Sequence, residues 1–503
     1  MLSIHSRAIS HLPAGRENPM QTISASIIQN RQAFEQAFCF PANKDIVFRS
    51  FRFSGKEGFV LFIDGMASGD KIADFILRPL LNISSAGQNL QNILQIGDTK
   101  PQTDFDTALS AVLQGDSVIC VDGESICYIC DTKGFDKRGV DRPQVENSIV
   151  GSQESFNENL RTNTTLLRRI IRHQGLTTEM VKVGRINNLT CGVMYLSGIV
   201  DAALVEEVKR RLSGLDTDFV QSGGMVEQFI EDQGSGLFQT LMTTERPDNA
   251  AALLTQGRVV IIVDGSPRVI VAPVTLSSIL KTSEESALRA PYACTIRAVR
   301  IFAVFTALLL PGLYLAATTF HPEMIPAGLL VSIARSRLSI PYPALLELLL
   351  LEIAFEMTRE AGERIPGPLG STIGIVGGLI LGEAAVSAGL VSRICVVIIA
   401  FTALANFAIP QYQTAFAVRL LRVGFLISAG FFGFFGVGVA FVLLAGYVCS
   451  LTSLGKDFVS PVFSGDAPFF PRRQVWNYER RPSALNTLRP QYQPHISRKW
   501  KKG

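Results

Sequence analysis

Charge is scarce in this chain. Asp, Glu, Lys and Arg make up 18% of its 503 residues, against roughly 25% in ordinary soluble domains. Histidine is rarer still, at five, and no two stand at metal-ligand spacing. GxSxG, GxxxxGK(S/T), HExxH and a strand-to-helix GxGxxG are all missing. Nothing therefore points to a hydrolase elbow, a phosphate loop, a zincin centre or a dinucleotide site. The eight cysteines are scattered, which suits a reducing compartment. Cys127 and Cys130 form a lone CxxC in an apparent strand, CYIC, whose alternation turns them to opposite faces. With no second pair, a metal site is not expected. The opening MLSIHSRAISHLPAGR has no apolar core of signal-peptide length, which suits a cytosolic start. The expectation is a protein that is not an enzyme, without cofactor, metal or nucleic-acid partner.

What is present is unevenly spread. Residues 1–300 carry 30 Lys+Arg and 33 Asp+Glu, residues 301–455 carry 7 and 7, and residues 456–503 carry 10 and 3. The chain thus divides into an ordinary soluble region, a charge-poor segment and a basic tail. With 47% apolar residues, it is neither disordered nor collagen-like. Ile301 to Phe320 is free of charge, as are Ile394 to Ile409 and Val423 to Ser450. Ser371 to Ser392 holds Glu383 and no other acid. Twenty helical residues rise about 30 Å, enough for the hydrocarbon core of a bilayer, so four spans are expected. Arg289, Arg297 and Arg300 precede the first, and Arg472, Arg473, Arg480 and Arg481 follow the last. Both ends therefore read as cytoplasmic.

The soluble part repeats loosely. Phe59 to Ile63 reads as a strand ending in Asp64-Gly65 before the helical DKIADFILRPLL; Cys191 to Leu196 ends in Ser197-Gly198 before VDAALVEEVKRRL. Ser117 to Val121 with Asp122-Gly123 leads into SICYIC, and Arg258 to Val263 with Asp264-Gly265 into PRVIVAPV. Gly65 and Gly198 stand 133 residues apart. The fold class expected is an α/β cytosolic region of two similar subdomains followed by an all-α multi-span membrane domain. Its parts are an extension over 1–45, a first subdomain over 45–145, a linker helix region over 146–180, a second subdomain over 181–290, a membrane domain over 291–455 and a cytoplasmic tail over 456–503. In the linker, Leu160, Leu167, Ile170 and Ile171 read as the apolar helix face, and Arg161, Arg168, Arg169 and Arg172 as the solvated one.

The charge-poor segment carries two patterns. Gly370, Gly374, Gly378 and Gly382 stand at spacing four, a smooth helix face that permits close packing in a bilayer within the chain or between copies. In LELLLLEIAFEMTREAGER, Glu352, Glu356, Arg359 and Glu363 fall within about 60° of one another at about 100° per residue. Glu347 stands apart from them. Carboxylates at membrane depth are costly and face water or a partner. The stripe reads either as the lining of a cation path or as an interfacial face with i,i+4 pairs, and Glu383 is a second intramembrane acid.

RPQVENSIVGSQESFNENLRTN, VEEVKRRLSGLDTD, EQFIED, TERPDNAAALLTQGRVVIIVDGSP, LLEIAFEMTREAGERIPGPLGSTIGIVGG and IPQY closely resemble the A subunit of the GerA-type spore germinant receptors, from about residue 58 to Pro461. The resemblance implies a multi-pass protein of the spore inner membrane that works with a transporter-like B subunit and a lipoprotein C subunit. It implies a homo-oligomer that passes monovalent cations when nutrient binds, and two α/β subdomains in the soluble part. It places Glu352, Glu356, Arg359 and Glu363 in the family's REAG-containing segment. Two alternatives stay open: a paralogue of the A subunit that serves dipicolinic-acid release, and a transporter with a cytosolic regulatory domain.

Overall fold

The computed structural model describes residues 21–82, 90–134, 143, 146, 150–234, 236–364, 382–459 and 480–492. Two five-stranded antiparallel sheets form the soluble part. The first has the order β1-β2-β4-β5-β3, from β1 Ile46–Phe53, β2 Lys56–Ile63, β3 Thr99–Gln102, β4 Ser117–Val121 and β5 Cys127–Cys130. The second has the order β6-β7-β9-β10-β8, from β6 Leu176–Val183, β7 Leu189–Leu196, β8 Met242–Thr244, β9 Val259–Val263 and β10 Val269–Ala272. Their central strands, SVICV and VVIIV, are buried at every position, because helices cover both faces. In the second sheet Val260 and Ile262 meet helix Pro247–Thr255, while Val259, Ile261 and Val263 meet helix Ala202–Ser213. The four turn glycines, Gly65, Gly123, Gly198 and Gly265, all have φ between 77° and 85°, a conformation that favours glycine.

The repeat is longer than its strand pattern suggests, because each half opens with a helix. Helix Ile27–Ala37 begins the first half, inside the expected extension, and helix Leu160–Ile170, the expected linker, begins the second. The equivalence reaches single side chains. Buried Asn30 accepts from Ser24 N–H at 2.8 Å and donates to Ser24 O at 2.6 Å. Buried Asn163 does the same with Asn157, at 2.9 and 2.6 Å. Asp122 accepts the N–H of Ile27, and Asp264 accepts that of Leu160. The turn aspartates thus hold the opening helices on their sheets.

The two faces expected of the Leu160–Ile170 helix are each corrected at one position. Arg168 is buried and Ile170 is exposed. The helix packs between the halves, and Arg168 reaches inward to Asp45 at 2.9 Å and to Asn43 Oδ1 at 2.9 Å. Asn43 also bonds the β6 backbone at Leu176 and Thr178, and Lys44 N–H donates to Thr178 O. Arg161 pairs with Asp64 of the first half's turn.

Beyond the sheets the chain forms a helical bundle. Helix Ala290–Phe320 leaves the second subdomain, anchored there by Arg297 and Arg300 on buried Glu285. Helix Tyr412–Ser450 is broken at Gly433, with φ 58° and ψ −140°. It folds back there: Gln413 reaches Glu227 and Tyr447 takes the N–H of Leu237, both in the second subdomain. Ala417, Leu421, Leu444 and Val448 share one core cluster with Leu254 and Val271. The element is therefore a hairpin of two arms, 412–432 and 434–450, whose tip lies against Phe320 and His321. Residues 452–458 return to the second subdomain, where Leu276 N–H donates to Phe458 O. Of the basic tail, 480–492 are folded rather than free. Arg481 donates to Thr255 O and Arg489 O, and Leu485 is fully buried.

Among the described residues, two helices, Ala290–Phe320 and Tyr412–Ser450, are long and apolar enough to cross a membrane. The run at 394–409 forms a shorter helix, Arg393–Phe407. Most of the run at 371–392 lies outside the described residues.

Two outcomes are expected. Arg168→Met strands the Asp45 carboxylate in the junction and should cost about 3–5 kcal/mol, read as a lower unfolding midpoint of the solubilised chain; an unchanged midpoint would remove the pair from the junction's support. Gly433→Ala forces a Cβ into a glycine conformation and against Phe320, 3.0 Å away. It should cost on the order of 1–3 kcal/mol, and cysteines placed at 421 and 444 should then crosslink more slowly.

Candidate functional site

The acidic run forms helix Ala344–Arg364. Its start lies by the hairpin tip, where Leu345 closes on Gly430, and it runs antiparallel to arm 412–432. In this register its carboxylates meet arginines. Glu352 Oε2 lies 3.0 Å from Arg422 Nη2, and both side chains are buried, at 8% and 3% exposure. One turn on, Glu356 Oε1 takes Arg359 Nη2 at 2.5 Å and lies 3.5 Å from Arg419 Nη1. Carboxylates four apart face arginines three apart because both spacings lie on one helix face. The arginines close the first turns of an arm that then runs without charge from Val423.

Glu347 belongs to a third station. Apart from the stripe in sequence, it is fully buried here. Ser392 N–H donates to its Oε1 at 2.5 Å, and Arg337 Nε lies 3.7 Å from Oε2. Tyr314 and Cys395 meet at the same level. Three acid–base stations thus run the length of the acidic helix. Burying an ion pair costs several kcal/mol per ion in desolvation, and removing one partner costs more than the pair supplies. The stations therefore fix the register of the acidic helix against the hairpin far more sharply than apolar packing alone.

The residues marked from sequence fall into groups. Glu352, Glu356 and Arg359 come together as expected, on the arm-facing side. Glu363 closes the same helix, and its side chain lies outside the described residues. Glu383 is exposed on the bundle surface, apart from the ladder. Gly382 is half-buried, and a Cβ there would touch Val396 at 3.7 Å, so it packs within the chain. Gly370, Gly374 and Gly378 lie outside the described residues. Close glycine contacts described in the bundle include Gly312 on Phe425 O, Gly430 on Leu345, Gly433 on Phe320 and Gly436 on Ser428 O.

Arg419, Arg422, Arg337 and the burial of Glu347 are what sequence reasoning missed. A signal was present for two of them. Arg419 and Arg422 stand at helical spacing on the edge of a charge-free run, and an apolar bundle holding two acids needs two bases. Nothing in the sequence said that Arg337 and Ser392 would meet Glu347.

The family profile described as "Bacillus/Clostridium GerA spore germination protein" matches residues 32–484. Spore germination protein KA of Bacillus subtilis (strain 168) is 37% identical over 460 residues, covering 88% of this chain and 84% of its own. Spore germination protein GerLA of Bacillus cereus is 34% identical, covering 86% and 88%. Spore germination protein A1 of Bacillus subtilis (strain 168) is 34% identical, covering 81% and 85%. A crystal structure of the N-terminal domain of the A subunit of the Bacillus megaterium spore germinant receptor GerK3 aligns with 50% of this chain and 96% of its own, at 27% identity and a TM-score of 0.39. By the profile match over residues 32–484 and the identity to these relatives across most of their length, this chain is a member of the GerA spore germination protein family.

Proposed function

We propose that this chain is the A subunit of a nutrient germinant receptor of the spore inner membrane, and that it works as a transducer or oligomeric cation channel. The transporter-like B subunit and the lipoprotein C subunit are its partners in this reading, and a nutrient signal from them lets monovalent cations pass. Membership of the family over 32–484 supports the receptor role. Two helices of spanning length and a bundle surface bearing exposed Phe302, Phe407, Phe431, Phe435 and Leu443 support a bilayer around the bundle. A hairpin that returns the chain to the second subdomain supports both termini on the cytoplasmic side.

The single observation that carries the channel reading is the ladder of Glu347, Glu352 and Glu356 within an apolar bundle. Ion pairs at membrane depth are retained where charge has work to do. In this arrangement each carboxylate is held by an arginine, so the path is closed. A shift of the acidic helix against the hairpin would part Glu352 from Arg422 and Glu356 from Arg419, turning the carboxylates to passing cations. Glu363 continues the stripe, and Glu383, on the bundle surface, would face a neighbouring subunit. Gly370, Gly374 and Gly378 of the glycine row would seat that neighbour, with Gly382 packed within the chain.

Potassium flux from liposomes holding the receptor subunits tests this. Glu352→Gln leaves Arg422 without its counter-charge and should change nutrient-triggered flux by about tenfold or more. The exchange of both residues, Glu352→Arg with Arg422→Glu, should recover part of it. Wild-type flux in Glu352→Gln would take that residue out of the path, and no flux with any subunit combination would sink the channel reading. Gly378→Leu should lower the assembly's mass in native mass measurement, and an unchanged mass would count against the glycine row as a subunit contact.

A further inference from the structure

A cavity of about 460 Å³ lies where the second subdomain meets the bundle. Five cationic side chains line it: Arg246 from the second subdomain, Lys281 from the connector, Arg300 from the first long helix, Arg359 from the acidic helix and Arg419 from the hairpin. Among the described residues two acids, Glu146 and Glu284, share the lining. Burial pushes Glu146 up to about 7, so part of its charge is absent at neutral pH. Four of the five cations have carboxylate partners. Arg246 holds Asp248 at 2.8 Å, Arg300 holds Glu285 at 2.7 Å, and Arg359 and Arg419 share Glu356. Lys281 differs. Among the described residues no carboxylate lies within ion-pair distance of its ammonium; burial with Arg297 and Arg258 nearby pulls it down to about 8, against the Glu285 carboxylate, which Arg297 and Arg300 already hold. A partly buried ammonium whose nearest carboxylate is shared by two arginines can take a further anion. Asn406, Gln411 and Tyr412 line it on the bundle side.

We propose that this cavity binds a phosphate-class anion, with Lys281 as its principal contact. The shared chemistry is a phosphate oxygen set, carried either by the headgroup of an anionic lipid or by a soluble phosphate. The place suits both: the first long helix enters the bundle beside it, and the second subdomain opens it to water. Because the lining comes from the subdomain and three helices at once, the bound anion ties the soluble part to the acidic helix and the hairpin. The inference stands apart from ion conduction and is read without it.

The test uses the full-length protein in detergent, with unfolding followed as anion is added. Dihexanoyl phosphatidylglycerol and inorganic phosphate are the two probes, and dihexanoyl phosphatidylcholine is the control. A ligand of the folded state raises the midpoint saturably. Such a rise is expected with at least one anionic probe and not with the control. Lys281→Gln should weaken the apparent affinity by about tenfold or more, and Lys281→Arg should restore it. A rise with phosphatidylglycerol alone assigns the site to a headgroup, and a rise with phosphate as well assigns it to a free anion. No saturable rise with either probe, or equal affinity in Lys281→Gln folded to the wild-type midpoint, would overturn the proposal.

Discussion

An ionised carboxylate inside an apolar helical bundle must find a counter-charge, and much of this structure's arrangement follows from that need. Buried Glu352 is satisfied only if arm 412–432 brings Arg422 to its level, and Arg419 of the same arm adds to Glu356, which is half-exposed and already held by Arg359 of its own helix. That sets the acidic helix antiparallel to the arm and fixes its register to one turn. Sliding by a turn would leave two buried charges unpaired, each at several kcal/mol. Apolar side chains alone would tolerate the slip, since Leu against Leu looks much the same one turn away.

The same constraint runs through the soluble half. Arg168 sits in the junction because Asp45 and Asn43 of the first half meet it there, so a buried charge pair holds the two subdomains together. Glu285, buried under Arg297 and Arg300, joins the second subdomain to the bundle. The hairpin feet add apolar contact to the same subdomain. Paired charges thus stand at the junction of the halves, where the second subdomain meets the bundle, and along the acidic helix.

The duplication shows how a fold can be half legible. The six strands expected from sequence, β2, β4, β5, β7, β9 and β10, are the inner strands of the two sheets. The four that went unread, β1, β3, β6 and β8, are all edges. Edge strands face water on one side and need no apolar run: β3 is TKPQ, and Pro101 is tolerated where a ladder hydrogen bond is not needed. The opening helices were misplaced for a related reason. Their tie to the sheet is Asp122 or Asp264 accepting an N–H at the helix start from about a hundred residues away, a polar contact with no periodic trace.

The sequence by itself determined the family, the two α/β halves, the turn glycines, the charge-poor segment and the acidic stripe. These depend on local pattern: alternation, helical spacing, charge density and long shared motifs. The tertiary structure alone decided which charges meet. That Glu347 is buried with Ser392 and Arg337, that Arg168 turns inward, that Tyr412–Ser450 doubles back at Gly433, and that Lys281 lines a cavity with four arginines all depend on residues far apart in the chain. The reason is physical. Pattern records how a segment divides between water and apolar surroundings, while a counter-charge is chosen by distance in space, which one segment's composition does not encode.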